Sequence, residues 1–135
     1  MWCTYRGAND ESVLIGCLYR SPNSPGVNNE KMIQLFKSEA LSKYDKICVF
    51  GDFNFPGIHW DGTWSGEDDN KIVECFRDAY LIQKVTKPTR HREGQQSTLI
   101  DLVLVSEDNL VSDITHLDPL GKSDHDVLIF NLYVK

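Results

Sequence analysis

At 135 residues the chain has the size of one ordinary domain, and its 41% apolar and 25% charged residues are those of a globular protein able to bury a core. The formal net charge of -6 argues against holding nucleic acid by broad electrostatic attraction alone. It leaves room for a metal-using site, which collects carboxylates that a bound cation then offsets. No stretch approaches the apolar length of a membrane span, and the leading MWCTYRGANDES has no secretory core, so an intracellular protein with no membrane partner is expected.

Residues 12–19, SVLIGCLY, form an apolar run stopped by SPNSPG, which predicts a strand entering a loop. Between Asn29 and Tyr44, Met32, Ile33, Leu35, Phe36, Ala40 and Leu41 recur at helical spacing. This predicts an amphipathic helix with Asn28 or Asn29 as its N-cap. KICVF then reads as a short strand buried on both faces, as in the middle of a layered structure, and it runs into GDFNFPG.

Residues 61–69 read as polar loop, with GEDD leading into a helix N-terminus where negative charge is favoured. That helix is predicted over Asn70–Tyr80, with Ile72, Val73 and Phe76 inward. LIQKV is a short strand, KPTRHREGQQS a polar loop, and TLIDLVLVS, LVSDITHL and DVLIFNLYV are three closing strands. The order β-α-β-α-β-β-β implies a layered α/β sandwich, an α+β fold in some schemes, rather than a doubly wound sheet. Neither a GxGxxG nor a Walker-type loop is present. Cys3, Cys17, Cys48 and Cys75 stand singly, without a CxxC pair, and read as reduced thiols rather than zinc ligands or disulfides.

The informative polar residues are those that interrupt apolar runs. Asp101 sits within TLIDLVLVS, sharing a strand face with Leu99, Val103 and Val105; an unpaired carboxylate there would cost several kcal/mol, so it needs a partner. A lone case would be an Asp bonded to backbone amides. Asp52 and Asn54 emerge together from GDFN with Phe53 turned away, though such residues are often turn formers. Asp124 and His125 lie at the mouth of the last apolar strand, an arrangement suited to contacting phosphate or standing beside a metal. Tyr19 and Asn23 of YRSPN follow a buried strand in the same manner.

Taken in order, YRSPN, GDFN, the strand Asp of LIDLVLV and SDH resemble the endonuclease/exonuclease/phosphatase superfamily, the DNase-I-like enzymes. The fuller phrases CLYRSPNS, VFGDFNFPGIHW, STLIDLVLVS and SDHDVLIF resemble the endonuclease domain of non-LTR retrotransposons. The resemblance implies a DNase-I-like α/β/β/α sandwich and a DNA-nicking phosphodiesterase using Mg²⁺ or Mn²⁺. It implies Asp52 as the base for the attacking water and Asn54 as the group orienting it. It implies His125 as hydrogen-bond donor to a non-bridging oxygen, with Asp101 on the other ring nitrogen favouring the charged imidazole. Asp124 would hold the cation, Tyr19 would stand near the scissile phosphate, and Asn23 would contact a backbone phosphate.

Residues 1–135 cover only the later portion of that family's domain, without its metal-binding Glu segment, so activity of the isolated chain and its cation affinity are both open to test. A bare sheet face is expected, covered by homodimerisation or by a reduced sandwich of the chain's own. Two other readings stand beside the nuclease: a catalytically dead interaction domain, and a phosphatase acting on small phosphoesters. A retroelement origin would place the protein in the nucleus. Arg90 and Arg92, with His91 between them, form a compact basic group that is either a DNA-contacting loop or a solvated one. Trp60 is expected to pack beneath the GDFN loop, and His59, His91 and His116 to be structural or solvated.

Overall fold

In the computed structural model, which describes residues 1–64 and 66–135, a five-stranded mixed sheet carries the molecule. Its strands in chain order are β1 (Trp2–Arg6), β2 (Ser12–Tyr19), β3 (Lys46–Asp52), β6 (Ile82–Gln83) and β7 (Asp101–Val105), arranged β1-β2-β3-β7-β6. The two short strands β4 (Ile58–His59) and β5 (Thr63–Trp64) form a separate small hairpin. β2 and β3 are parallel, as a connection through helix allows, while the β1–β2, β3–β7 and β6–β7 pairs are antiparallel.

The connection is α1 (Gly26–Lys37) followed by the single turn α2 (Glu39–Ser42). The predicted helix of residues 29–44 therefore starts earlier and breaks at Ser38, whose ψ of 145° is extended. Pro25, with φ -66° and ψ 155°, takes the N-cap position expected for Asn28 or Asn29. Asn29 instead lies buried in the helix, where its side chain accepts from Arg20. The helix α3 (Glu67–Asp78) likewise begins three residues before the expected Asn70, with Glu67, Asp68 and Asp69 in its first turn. Ile72, Val73 and Phe76 are buried as expected. Ser65, inside the expected polar loop of residues 61–69, lies outside the described residues.

Both faces of the sheet are apolar. On one, Leu14, Val49, Leu102 and Leu104 pack against Ile33 and Phe36 of α1 and Ile72 and Phe76 of α3. On the other, Cys48, Val103 and Val105 are covered by Val85, Leu110 and Val111, with Leu128, Phe130 and Leu132 alongside. The chain thus builds a reduced sandwich of its own over β3 and β7, while Cys3 and Tyr5 toward the β1 edge stay exposed.

The three closing strands are shorter than the apolar runs that announce them. The first is β7 of the main sheet, while the other two pair with each other only over β8 (Thr115–Leu117) and β9 (Val127–Ile129), with an isolated bridge between Val111 and Leu132. Backbone bonds from Ser112 N–H to the Asn131 carbonyl (2.9 Å) and Tyr133 N–H to the Leu110 carbonyl (2.8 Å) satisfy the rest irregularly. β1 had no expectation at all, because its five residues are exposed and show no alternation. The four cysteines are free, and burial pushes the Cys48 thiol up to about 11, as for an inert core thiol. Among the described residues, no helix is long and apolar enough to cross a membrane.

Candidate active site

The sheet register sets three polar side chains side by side. Tyr19 pairs with Asp52 across β2 and β3, and Asp52 pairs with Asp101 across β3 and β7. Laterally paired residues share a face, so Tyr19, Asp52 and Asp101 project together at one end of the sheet. Close strand approach makes this possible: a Cβ on Gly51, whose φ is +143°, would stand 1.8 Å from the Leu18 carbonyl oxygen. Tyr19 is 74% exposed and stands on the open side of the row.

His125 closes the row from the segment before β9. Its Nδ1 lies 2.8 Å from Asp101 Oδ2, and its Nε2 lies 3.9 Å from Asp52 Oδ2. Asp101 therefore has the partner that its apolar strand demands. It has a second one that the sequence does not signal. Thr89 is fully buried; its hydroxyl donates to Asp101 Oδ2 at 2.6 Å and accepts from the N–H groups of Ile100 (3.3 Å) and Asp101 (3.1 Å). Every hydrogen-bonding position of that hydroxyl is occupied. A threonine inside the polar run KPTRHREG has no periodicity to mark it as core.

Burial pushes the Asp52 carboxyl above its ordinary value, and the neighbouring charge of Asp101 adds to that. His125, the Asn54 N–H and Arg90 pull the other way without cancelling it. Asp52 Oδ1 is buried with no hydrogen-bond partner. Asn54 is buried with φ +50°, a left-handed conformation that asparagine tolerates, and its N–H bonds the Ile100 carbonyl at 3.3 Å. Arg20, also unforeseen, holds this turn. Its guanidinium donates to the Asn54 carbonyl at 2.7 Å and to Asn29 Oδ1 at 2.8 Å, and lies 4.1 Å from the centre of the Phe55 ring.

Of the remaining predicted residues, Asp124 stands beside His125 and the others lie apart. Asp124, expected to hold a cation, is ion-paired with Arg92, which keeps its carboxyl below the usual range. Its other oxygen stands 3.7 Å from His125 Nε2. Arg92, expected on DNA, is held by that same pair, while Arg90 is half-buried and its backbone bridges both Thr98 and His125. The 90–98 segment is thus a hairpin loop anchored at its base by the Arg90–Thr98 bridge, with residues 91–96 exposed. His91 and His116 are structural, both turned to Asp126, which is a group the sequence does not single out. Asn23 is exposed between β2 and α1. Trp60 stacks on Phe76, which in turn meets Phe53, so it packs under the turn through α3.

Among the described residues, Asp52, Asp101 and His125 form the group whose ligand atoms all lie within 4.8 Å of one another and could hold a metal ion. The donor set fits a divalent cation: two carboxylates converge, and Asp52 Oδ1 is a buried oxygen left without a partner.

Residues 13–129 match the family model described as endonuclease-reverse transcriptase. The endonuclease domain of TRAS1, a telomere-specific non-LTR retrotransposon, has the same fold, with a TM-score of 0.69 at 18% identity over 93% of this chain and 58% of that one. So does the 3′ phosphatase NExo (D146N) from Neisseria, solved with a product DNA hairpin, with a TM-score of 0.64 at 15% identity over 92% of this chain and 62% of that one. The chain spans less than two thirds of either neighbour. Among curated proteins none matches it. The layered sandwich is therefore of the DNase-I-like kind, as the sequence resemblance implied.

Proposed function

Because the chain belongs to the endonuclease-reverse transcriptase family, we propose that it is a metal-dependent phosphodiesterase that nicks DNA in the manner of non-LTR retrotransposon endonucleases. The observation that carries this is the line of contacts from Asp101 to His125 to Asp52, 2.8 Å and 3.9 Å long, at the mouth of an otherwise apolar sheet. Such a line can receive a proton at one end and donate a hydrogen bond from its middle.

Asp52 takes the proton of the attacking water. His125 turns Nε2 to a non-bridging phosphoryl oxygen while Asp101 accepts from Nδ1, which fixes the ring and its tautomer. Asn54, held by Arg20 at the end of β3, orients the water or a phosphate oxygen. Tyr19 stands beside the scissile phosphate, and Asn23 reaches a neighbouring phosphate on the exposed loop. Mg²⁺ or Mn²⁺ held by Asp52 Oδ1 would supply charge neutralisation at the phosphate. Asp124, whose Oδ2 is paired with Arg92, could join as a ligand through Oδ1, the oxygen that faces His125.

A plasmid-nicking assay with Mg²⁺ or Mn²⁺ tests the proposal, beside Asp52→Ala and His125→Ala. Conversion of supercoiled to open-circular DNA that both substitutions abolish supports it. Release of phosphate from a 3′-phosphorylated DNA hairpin without nicking would assign the site to phosphatase chemistry instead. No turnover of either substrate would make the chain a binding domain.

A further inference from the structure

Asp126, the residue after His125, has a side chain only 13% exposed on which two imidazoles converge. His116 Nδ1 of β8 lies 2.9 Å from Oδ2, and His91 Nε2 at the base of the 90–98 hairpin lies 3.2 Å from the carboxylate. Burial pushes Asp126 up, but the bonds from His116 and His91 outweigh it and leave the carboxyl below its ordinary value. The proposed hydrolysis uses none of these three groups.

We infer that Asp126 is a positioning residue for His125, acting with His91 and His116 to fix the chain segment from which the reacting imidazole projects. This rests on the phosphodiesterase reading of the site. The main chain is tied at the same place. The Asp126 N–H donates to the Thr89 carbonyl at 2.7 Å, the His91 N–H donates to the Asp124 carbonyl at 2.8 Å, and Arg90 bridges His125. Thr89 joins the two halves of the device: its carbonyl holds Asp126 and its hydroxyl holds Asp101. The residue that grips the His125 ring and the residue that pins its backbone therefore share one buried reference point. Without Asp126 the segment keeps its covalent path but loses the side-chain ties to the hairpin and to β8, so the aim of Nε2 toward Asp52 is released.

The experiment compares Asp126→Leu, which removes the acceptor while keeping the branching at Cγ, with Asp126→Asn, whose amide oxygen still accepts from both rings. Two readouts are taken on protein shown to be folded by circular dichroism: the proton resonance of His125 Nδ1 in NMR, and steady-state nicking. Expected for Asp126→Leu is a shifted or broadened His125 resonance and a kcat lower by about a hundredfold, since small misplacements of a reacting group cost that much, with KM for DNA little changed. Asp126→Asn should restore both. If Asp126→Leu does not fold, His116→Gln carries the same two readouts. A folded Asp126→Leu, or His116→Gln in its place, with the wild-type resonance and kcat overturns the inference. So does Asp126→Asn as impaired as Asp126→Leu, which would point to charge rather than placement. Should the wild type nick nothing, the functional reading fails, while the resonance still decides whether Asp126 positions His125.

Discussion

Asp52 and Asp101 reach the site from paired strands, whereas His125 and Asp124 reach it from an irregular segment between β8 and β9. On the strand side, position follows from a backbone ladder whose bonds are shielded by apolar residues on both faces of the sheet. On the segment side it follows from side-chain pairs: Arg92 with Asp124, His91 and His116 with Asp126, Asp101 with His125. The first kind of support is insensitive to salt and moderate pH. The second depends on charge and on solvent, and it is where adjustment to a substrate or a cation can occur without disturbing the core.

The largest test of this contrast removes the reacting groups from each side. Asp52→Ala should lower nicking by about 10²–10⁴-fold as a lost general base, and His125→Ala by about 10²–10³-fold as a lost oxyanion donor. Initial rates on supercoiled plasmid measure both. If the two sides act as one unit, the double variant should be little worse than the weaker single one. Full additivity would separate them.

Next in size is the buried hydroxyl that joins the sides. Thr89→Val keeps the volume but removes one donor and an acceptor serving two N–H groups, each loss leaving a buried group unsatisfied at about 1–3 kcal/mol. Urea unfolding should show a lower midpoint with an unchanged slope. A midpoint equal to that of the wild type would mean that Thr89 does not hold Asp101.

Asp52 gives a prediction of opposite sign. Its carboxyl sits above the ordinary value, so the folded state holds that proton more tightly than the unfolded state does. The corresponding stability is fully present below the ordinary carboxylate value and is lost as pH rises through the raised one. Asp52→Asn should therefore melt at a higher temperature than wild type near neutral pH, with the gap closing in acid. A gap that does not change with pH would tie the effect to packing and not to ionisation.

What could be read from the sequence follows the same division. Asp101, Asp52 and Asn54 were legible because each interrupts or ends an apolar strand run, where a polar group needs a reason. The layered sandwich was legible from the order of strands and helices and from the run at β3 that is apolar on both faces. Thr89, Arg20 and Asp126 were not, because they lie in polar stretches where nothing in composition separates a buried side chain from a solvated one. Strand β1 was missed because its five residues are exposed, and the helix starts shifted because Pro25 and Gly66 occupy the cap positions in place of a side-chain cap.

The smallest effect concerns the pair that crosses from hairpin to segment. Arg92 and Asp124 are roughly half and one third exposed, so their attraction is screened and Arg92→Ala should change stability by no more than about 1 kcal/mol. Its consequence for cation binding is larger than for folding. Arg92 holds Asp124 below the usual carboxylate range and sets a positive charge beside it that opposes a second cation. Freeing it should tighten Mn²⁺ binding, measured by calorimetric titration at fixed ionic strength. Asp124→Asn in the Arg92→Ala background should then return the affinity to the wild-type level or below. Mn²⁺ affinity indifferent to Arg92 would exclude Asp124 from the coordination shell and leave the cation to the strand side alone.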